Sequence, residues 1–234
     1  SRAGGVLMNE ERLIEIAENN SRRLIRLIND MLDIDRLQSG RLRIETAGID
    51  LRGVAQLACE GSEGLASSAA VHIVCNLPEY PVMVMGDKDR LLQVVTNLVS
   101  NAIRATPSHG TIAISCALEQ GDSKAIITVD DDGPGVPQDF RDRIFGRFER
   151  ANVQDGIGTG LGLAISQEIV QRHDGRIWFE DRTPVGTRFA FSLDILRVEP
   201  APIDGAVPIL ICEDDLDMAN VLREMVTTIG YAAH

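Results

Sequence analysis

Three polar side chains on one predicted helix have the types and the spacing that a magnesium nucleotide requires. Asn97, Asn101 and Arg104 follow one another at intervals of four and three residues, so they lie on one face of a helix predicted over 88–105. A carboxamide oxygen can complete the octahedral shell of Mg²⁺, and an arginine one turn further on can neutralise phosphate charge. A merely solvated helix face is the alternative, although asparagine is a mediocre helix former for that role.

A carboxylate and a glycine turn supply a second part of the predicted site. Asp131 ends a predicted strand and is followed by Gly133-Pro134-Gly135. A carboxylate at this point can accept a hydrogen bond from an exocyclic base amine, which selects adenine over guanine. The two glycines leave room for a flat ring against the backbone. An ordinary acidic turn is the alternative.

A longer glycine stretch, residues 156–162, runs directly into an apolar helical pattern. Glycine lets backbone amides turn inward, and a helix N-terminus presents free N–H groups with partial positive charge, so such a stretch can hold an anion. A plain loop is the alternative. Together with the asparagines and the carboxylate, this stretch predicts a nucleotide site.

The charged segment 138–155 lies between the two glycine motifs and is long for a loop inside a compact domain. This length is typical of a lid or a binding loop. We expect Phe145 and Phe148 to pin the segment to the body of the domain, and Arg147 to reach the phosphates. A short surface helix without such a role is the alternative.

The elements that must position these groups are helices and hairpins in alternation. Asp50 and Asp87 are predicted N-caps of helices that end near residues 68 and 105. This alternation predicts an α+β fold, in which helices cover one face of a mixed sheet. The predicted strands cover residues 41–45, 71–77, 82–85, 111–118, 124–130, 176–180 and 187–193.

Residues 9–38 have the pattern of one long helix, with apolar side chains stepping by four and three residues. The apolar face of this helix is wider than the face that a two-stranded coiled coil buries, which favours a multi-helix bundle. Because one helix cannot bury such an apolar face alone, we expect a homodimer through residues 9–38. A helix that folds back onto its own domain is the alternative.

The composition limits the classes of partner. A net charge of −12 argues against nucleic acid and against an anionic membrane. No apolar run approaches the roughly eighteen residues of a membrane span, and no signal peptide is visible, so we expect a cytoplasmic fragment. The histidines have no ligand-like spacing, which predicts no zinc site. Scattered cysteines predict reduced, buried thiols at Cys59, Cys75, Cys116 and Cys212.

Five motifs resemble the N, G1, F, G2 and G3 boxes of sensor histidine kinases, in order and at similar spacing. Five ordered boxes are far more specific than any one of them, and the resemblance covers roughly residues 9–194. The motifs are Asn97-x-x-x-Asn101, Asp131-x-Gly133-x-Gly135, Phe145-Gly146-Arg147-Phe148, Gly158-Thr159-Gly160-Leu161-Gly162-Leu163 and Gly186-Thr187-Arg188-Phe189.

The resemblance implies a catalytic ATP-binding domain of the Bergerat type over residues 47–196. It also implies the second helix of a dimerisation and histidine-phosphotransfer hairpin within residues 1–46, and a linker over 197–207. Asp131 would bind the adenine amine, and Asn97 and Asn101 would lie around Mg²⁺. The implied nucleotide-binding positions are Asn97, Asn101, Arg104, Asp131, Gly133, Gly135, Arg147, Gly158, Thr159, Gly160, Leu161, Gly162 and Thr187.

The resemblance also implies groups that lie at or beyond the edges of this chain. The family's phosphoacceptor histidine belongs upstream, and none of His72, His109, His173 and His234 fits it, so we expect the chain to bind ATP without phosphorylating itself. Residues 208–234 resemble the start of a response-regulator receiver, with Glu213 and Asp214 as Mg²⁺-binding acids. A hybrid kinase with a receiver domain as partner is therefore expected.

The leading hypothesis is the catalytic portion of an ATP-dependent protein-histidine kinase. A GHKL-type ATPase that works as a conformational machine is the first rival. Such ATPases carry a glutamate where Asn97 stands, and an amide cannot take up a proton as a general base for water. A non-catalytic scaffold that senses nucleotide is the second rival.

Overall fold

The computed structural model describes residues 44–119, 123–149 and 159–196, six helical residues between 21 and 32, and four strand residues at 208, 209, 232 and 233. The chain divides into two compact units, Ser1–Ile195 and Leu196–His234. Most of the predicted long helix and the whole of the linker lie outside the described residues. Among the described residues, no helix combines the length and the apolar character needed to cross a membrane.

Within its described part, the first unit contains three complete α-helices and seven strands. The helices are α1 (Leu51–Ser68), α2 (Lys88–Ala105) and α3 (Gly162–Arg172). The strands are β1 (Ala47–Asp50), β2 (His72–Asn76), β3 (Met83–Gly86), β4 (Thr111–Leu118), β5 (Lys124–Asp131), β6 (Arg176–Asp181) and β7 (Thr187–Asp194). The second unit contains a parallel pair of two-residue strands, β8 (Pro208–Ile209) and β9 (Ala232–Ala233).

The main sheet has five strands in the order β2-β4-β5-β7-β6. β2 pairs parallel with β4, and every other neighbour in this sheet is antiparallel. β1 and β3 form a separate antiparallel pair. The predicted α+β architecture with a mixed sheet is therefore confirmed.

The core lies between the main sheet and the helices. Alternate residues of β4 and β5 are buried, including Ile114 and Ile127, as expected for strands with one covered face. Leu98 of α2, Ile165 of α3 and Phe191 of β7 are fully buried in the same cluster. This packing fixes α2 and α3 over the sheet, and these helices position the candidate site.

Both predicted N-caps are confirmed. Asp50 accepts a hydrogen bond from the main-chain nitrogen of Arg52 at 3.0 Å, and Asp87 accepts one from that of Arg90 at 3.1 Å. The strand predicted over 41–45 is wrong at residues 44 and 45, which have no regular structure. β1 begins two residues later, because its partner β3 pairs with residues 47–50.

The prediction of reduced thiols is wrong for two of the four cysteines. Cys59 of α1 and Cys75 of β2 form a disulfide across a sequence separation of 16 residues. α1 packs beside the outermost strand of the sheet, and this contact brings the two residues together. Cys116 is a buried free thiol, as predicted, and Cys212 lies outside the described residues.

Candidate functional site

Asp131 lies at the end of β5 and is almost wholly buried, with 2% of its surface exposed. Its Oδ1 accepts hydrogen bonds from the main-chain nitrogens of Gly133 at 2.8 Å and Thr187 at 3.2 Å. No described residue donates a hydrogen bond to Oδ2. A buried acceptor without a protein donor costs free energy, so this oxygen is suited to a donor on a ligand.

The groups around Asp131 shift the pKa of its carboxyl in opposite directions. Burial raises the pKa of its carboxyl above the ordinary value, and the main-chain donors of Gly133 and Thr187 and the charge of Arg182 lower it. The charge of Asp132 adds a smaller upward contribution. A donor from a ligand would favour the ionised form further, so binding and ionisation of this group are coupled.

The glycine turn after Asp131 lies directly against the end of α2. A Cβ atom at Gly133 would lie 2.7 Å from Oδ1 of Asp131 and 3.0 Å from the Cβ and the main-chain oxygen of Ala105, so a side chain there would displace the carboxylate. Gly135 has a positive φ of 84°, which glycine adopts without strain, and a Cβ there would approach only the main-chain oxygen of Gly186. The turn therefore presents backbone rather than side chains beside Asp131.

Asn97 connects α2 to the start of α3. Its Nδ2 donates to the main-chain oxygen of Gly162 at 3.3 Å and to Oγ of Ser166 at 3.4 Å. These bonds hold the amide group by its nitrogen. The carboxamide oxygen has no partner among the described residues, which leaves it to serve as a ligand of a cation.

Asn101 and Arg104 interact with each other one turn further along α2. Nη2 of Arg104 donates to Oδ1 of Asn101. Arg104 is exposed, and Asn101 is half-buried on the same helix face as Asn97. On the predicted polar face of α2, Asn101 and Arg104 therefore contact each other, whereas Asn97 bonds the start of α3.

The N-terminus of α3 has the features of an anion site. Leu161 occupies its N-cap position without a side-chain hydrogen bond, and the first turn holds no acidic residue. The main-chain nitrogen of Leu161 itself is bonded to Oγ1 of Thr159 at 3.2 Å. Among the described residues no side chain caps the first N–H groups of this helix, and a phosphate can take that place.

The segment with the two phenylalanines meets the glycine stretch through the backbone. The main-chain nitrogen of Phe148 donates to the oxygen of Gly160 at 2.8 Å, and a Cβ at Gly160 would lie 2.8 Å from the carbonyl carbon of Phe148. The side chain of Phe148 is 69% exposed, so the prediction that it pins the segment to the domain is wrong. Phe145 does pack against the core, and Arg147 is exposed.

The structure thus brings the described site residues other than Arg147 to α2 and to the end of β5. The start of α3 contacts Asn97, and the glycine turn beside Asp131 contacts Ala105. These two points are eight residues apart, about 12 Å at 1.5 Å per residue. Gly158, Glu213 and Asp214 lie outside the described residues. Among the described residues no three His, Cys, Asp or Glu side chains form a group able to hold a metal ion.

Sequence reasoning missed two residues of this region. Ser166 is fully buried and bonds Asn97, and Arg182 bonds the main-chain oxygen of Asp131 at 2.9 Å. The apolar pattern around Ser166 gave a weak signal, because a serine on the buried face of a helix needs a polar partner. Nothing local pointed to Arg182.

Comparison with known proteins identifies the class of this domain. Residues 86–197 match the family described as "Histidine kinase-, DNA gyrase B-, and HSP90-like ATPase". The chain is 33% identical to hybrid signal transduction histidine kinase D of Dictyostelium discoideum over 196 residues, which cover 80% of this chain and 12% of that protein. The chain spans 12–30% of the length of the first three curated relatives that it matches.

Solved structures agree with this class. The catalytic domain of histidine kinase ThkA is 30% identical with a TM-score of 0.57, and the match covers 64% of this chain and 97% of that one. Full-length ShkA, solved with AMPPNP, is 24% identical with a TM-score of 0.67 over 92% of this chain and 46% of that one, and it supports the fold alone. The chain therefore carries a GHKL-type ATPase domain. Within that class it belongs to the family of sensor histidine kinase catalytic domains.

Proposed function

We propose that this chain binds ATP with Mg²⁺ and catalyses transfer of the γ-phosphoryl group to a histidine side chain. The observation that carries the proposal is the buried carboxylate of Asp131, which has one oxygen held by two main-chain donors and the other without a described protein donor. An exocyclic amine of adenine is a donor of the right kind for that second oxygen. The family membership of the domain supports the same ligand.

The phosphates would lie near the middle of α2, where Asn97 meets the start of α3. The N-terminus of α3 favours anionic groups there, and Arg104, in the last turn of α2, would reach towards them with its positive charge. The carboxamide oxygen of Asn97 would ligate Mg²⁺ together with phosphate oxygens and waters, and that of Asn101 would do so once Arg104, which bonds it in this structure, turns to the phosphates. The ion would neutralise charge on the transferred group. Arg147 and the glycine stretch that includes Gly158 would add contacts from the lid.

In the proposed reaction the bond between the γ-phosphorus of ATP and the β–γ bridging oxygen breaks, and that oxygen leaves with ADP. A bond between the γ-phosphorus and an imidazole nitrogen forms at the same time. Catalysis would rest on positioning and on charge stabilisation rather than on a protein base. The amide of Asn97 cannot accept a proton from water, which favours this reaction over steady hydrolysis. Among the described histidines, His173 is buried, His72 lies in a strand and His109 lies in the turn before β4, so the acceptor is proposed to lie on another part of the complete protein.

The complete protein is proposed to be a homodimeric hybrid kinase that passes its phosphoryl group to a receiver domain. Five helical residues before the domain expose large apolar side chains, as a bundle helix within residues 1–46 requires: Leu24, Ile25, Ile28, Met31 and Leu32. One relative is named as a hybrid kinase. Residues 208–234, with Glu213 and Asp214, are proposed as the start of the receiver, joined to the catalytic domain of 47–196 by a linker.

One titration and one transfer assay test the proposal. Calorimetry with ATP and MgCl₂ is expected to give one site per chain, and radiolabelled γ-phosphate is expected to move to a separately supplied histidine-bearing hairpin. Binding without transfer would instead favour the nucleotide-sensing scaffold. Steady phosphate release without any acceptor would favour the conformational ATPase, and absence of binding by the folded chain would refute a nucleotide site altogether.

A further inference from the structure

Arg182 occupies the turn between β6 and β7 and contacts three consecutive aspartates. Its Nη1 donates to the main-chain oxygen of Asp131 at 2.9 Å and to Oδ1 of Asp132 at 3.0 Å. Its Nε lies 3.6 Å from Oδ2 of Asp130. One guanidinium therefore joins the end of β5 to a different part of the chain, since these residues are 50 or more positions apart in sequence.

The backbone of the same turn lies directly against the backbone of Asp131. A Cβ atom at Gly186 would lie only 2.1 Å from the main-chain oxygen of Asp131, and Gly186 has a positive φ of 123°. The main-chain nitrogen of Arg182 donates to the oxygen of Gly186 at 3.1 Å, which closes the turn. The next residue, Thr187, supplies one of the two donors to Oδ1 of Asp131. The position of this turn therefore sets the position of the carboxylate.

We propose that Arg182 is a positioning residue of the nucleotide site, which fixes Asp131 through its main-chain oxygen and fixes the turn that carries Thr187. This proposal rests on the proposed nucleotide-binding function and adds a residue outside the five motifs. A guanidinium suits the task because its planar fork can donate to a carbonyl and to carboxylates at once. The ammonium of lysine supplies the charge but lacks the planar set of N–H donors.

The charge of Arg182 also acts on the ionisation of Asp131. The charged groups that influence Asp131 are Arg182, which lowers its pKa, and Asp132, which raises it. Asp130 on the same strand is paired with Arg188 of β7, and Ala105, the neighbour from α2, is uncharged. Because Oδ1 is already bonded to two N–H groups, a proton would sit on Oδ2 and turn it from an acceptor into a donor that faces the ligand amine.

This arrangement gives the proposal a measurable signature in the pH dependence of nucleotide binding. Affinity for ADP is expected to fall as the pH is lowered through the raised pKa of Asp131. The variant R182Q is expected to bind ADP about tenfold more weakly, because a charge-assisted hydrogen bond is lost. The pH midpoint of its binding curve should move upward, because a neighbouring positive charge is lost. R182K should restore the midpoint but only part of the affinity.

The experiment is calorimetry of the whole chain with ADP from about pH 4, the ordinary pKa of an aspartate, to about pH 8, on wild type, R182Q, R182K and the control K124Q. Lys124 pairs with Asp194 at the opposite end of β5, so K124Q removes a cation from the same strand without touching Asp131. An unchanged midpoint in R182Q, an equal shift in K124Q, or a failure of R182Q to fold while R182K binds like wild type would each overturn the proposal. If wild type itself binds no ADP, the proposed function fails instead.

Discussion

Oδ1 of Asp131 lies 3.2 Å from the main-chain nitrogen of Thr187, and this bond helps to decide which carboxylate oxygen has no donor among the described residues. The main-chain nitrogen of Gly133 holds the same oxygen at 2.8 Å. Oδ2 is left as the acceptor. The strands β5 and β7 thus orient the carboxylate within the folded domain, which would spare the proposed nucleotide the cost of ordering it.

Asp131→Asn is expected to weaken ATP binding by about a hundredfold. The two main-chain donors will hold the amide oxygen, so the NH₂ group must face the amine of the base, donor against donor. Calorimetry with ATP and MgCl₂ measures the loss. Asp194→Asn, at the exposed end of β7, is the matched control and should bind like wild type. Equal affinities for the two variants would refute the assigned role of Asp131.

Gly186→Ala is expected to lower the free energy of unfolding by about 3 kcal/mol, because a methyl group would clash with the main-chain oxygen of Asp131 at a positive φ. Gly61→Ala is the matched control in the interior of α1, where a Cβ would meet nothing within 4 Å. The control should gain about 0.5–1 kcal/mol from helix propensity. Urea denaturation measures both, and the same sign for both variants would contradict the expectation.

His173→Leu is expected to cost about 1–3 kcal/mol of stability. Nε2 of the buried His173 accepts a hydrogen bond from the main-chain nitrogen of Asp87 at 2.9 Å, and leucine would leave that part-buried donor without this partner. Hydrogen exchange at the amide of Asp87 should accelerate in the variant. His72→Leu alters an exposed residue of β2 and should leave this amide protected. Unchanged exchange in His173→Leu would argue against the bond.

Reduction of the Cys59–Cys75 disulfide is expected to lower the free energy of unfolding by about 3 kcal/mol, the value for a loop of roughly this length. Denaturation with and without dithiothreitol measures the change. Cys75→Ser should abolish the response to reductant. Cys116→Ser should retain it, because Cys116 is a free thiol in the core. If dithiothreitol left the free energy of unfolding of the wild type unchanged, the disulfide would contribute nothing to stability.

Features that depend on neighbouring residues were predictable from the sequence. Asp50 and Asp87 cap helices whose predicted bounds agree with the structure, because a cap needs only a short polar side chain and the next two or three amides. The hairpin of β4 and β5 was predictable for the same reason, since alternating apolar residues flank a short turn. The order of the five motifs then indicated where ligand groups would gather.

Features that depend on tertiary approach were not predictable. The disulfide requires α1 to lie beside β2, and the spacing of Cys59 and Cys75 does not encode that contact. Arg182 is one of many arginines in the sequence, and only the placement of the β6–β7 turn brings it to Asp131. The exposure of Phe148 follows from its backbone, since a positive φ of 61° turns its side chain away while its N–H binds Gly160.

The two contacts that α2 makes, at Asn97 with the start of α3 and at Ala105 with the glycine turn, have a consequence for ligand size. A helix scarcely stretches, so the distance between the proposed base-binding and phosphate-binding groups is fixed. Under the proposed function, adenosine alone or triphosphate alone would contact one of these groups and lose the other. A molecule long enough to reach both would gain the second contact at high effective concentration, and the chain would then favour whole nucleotides over their pieces by length as well as by chemistry.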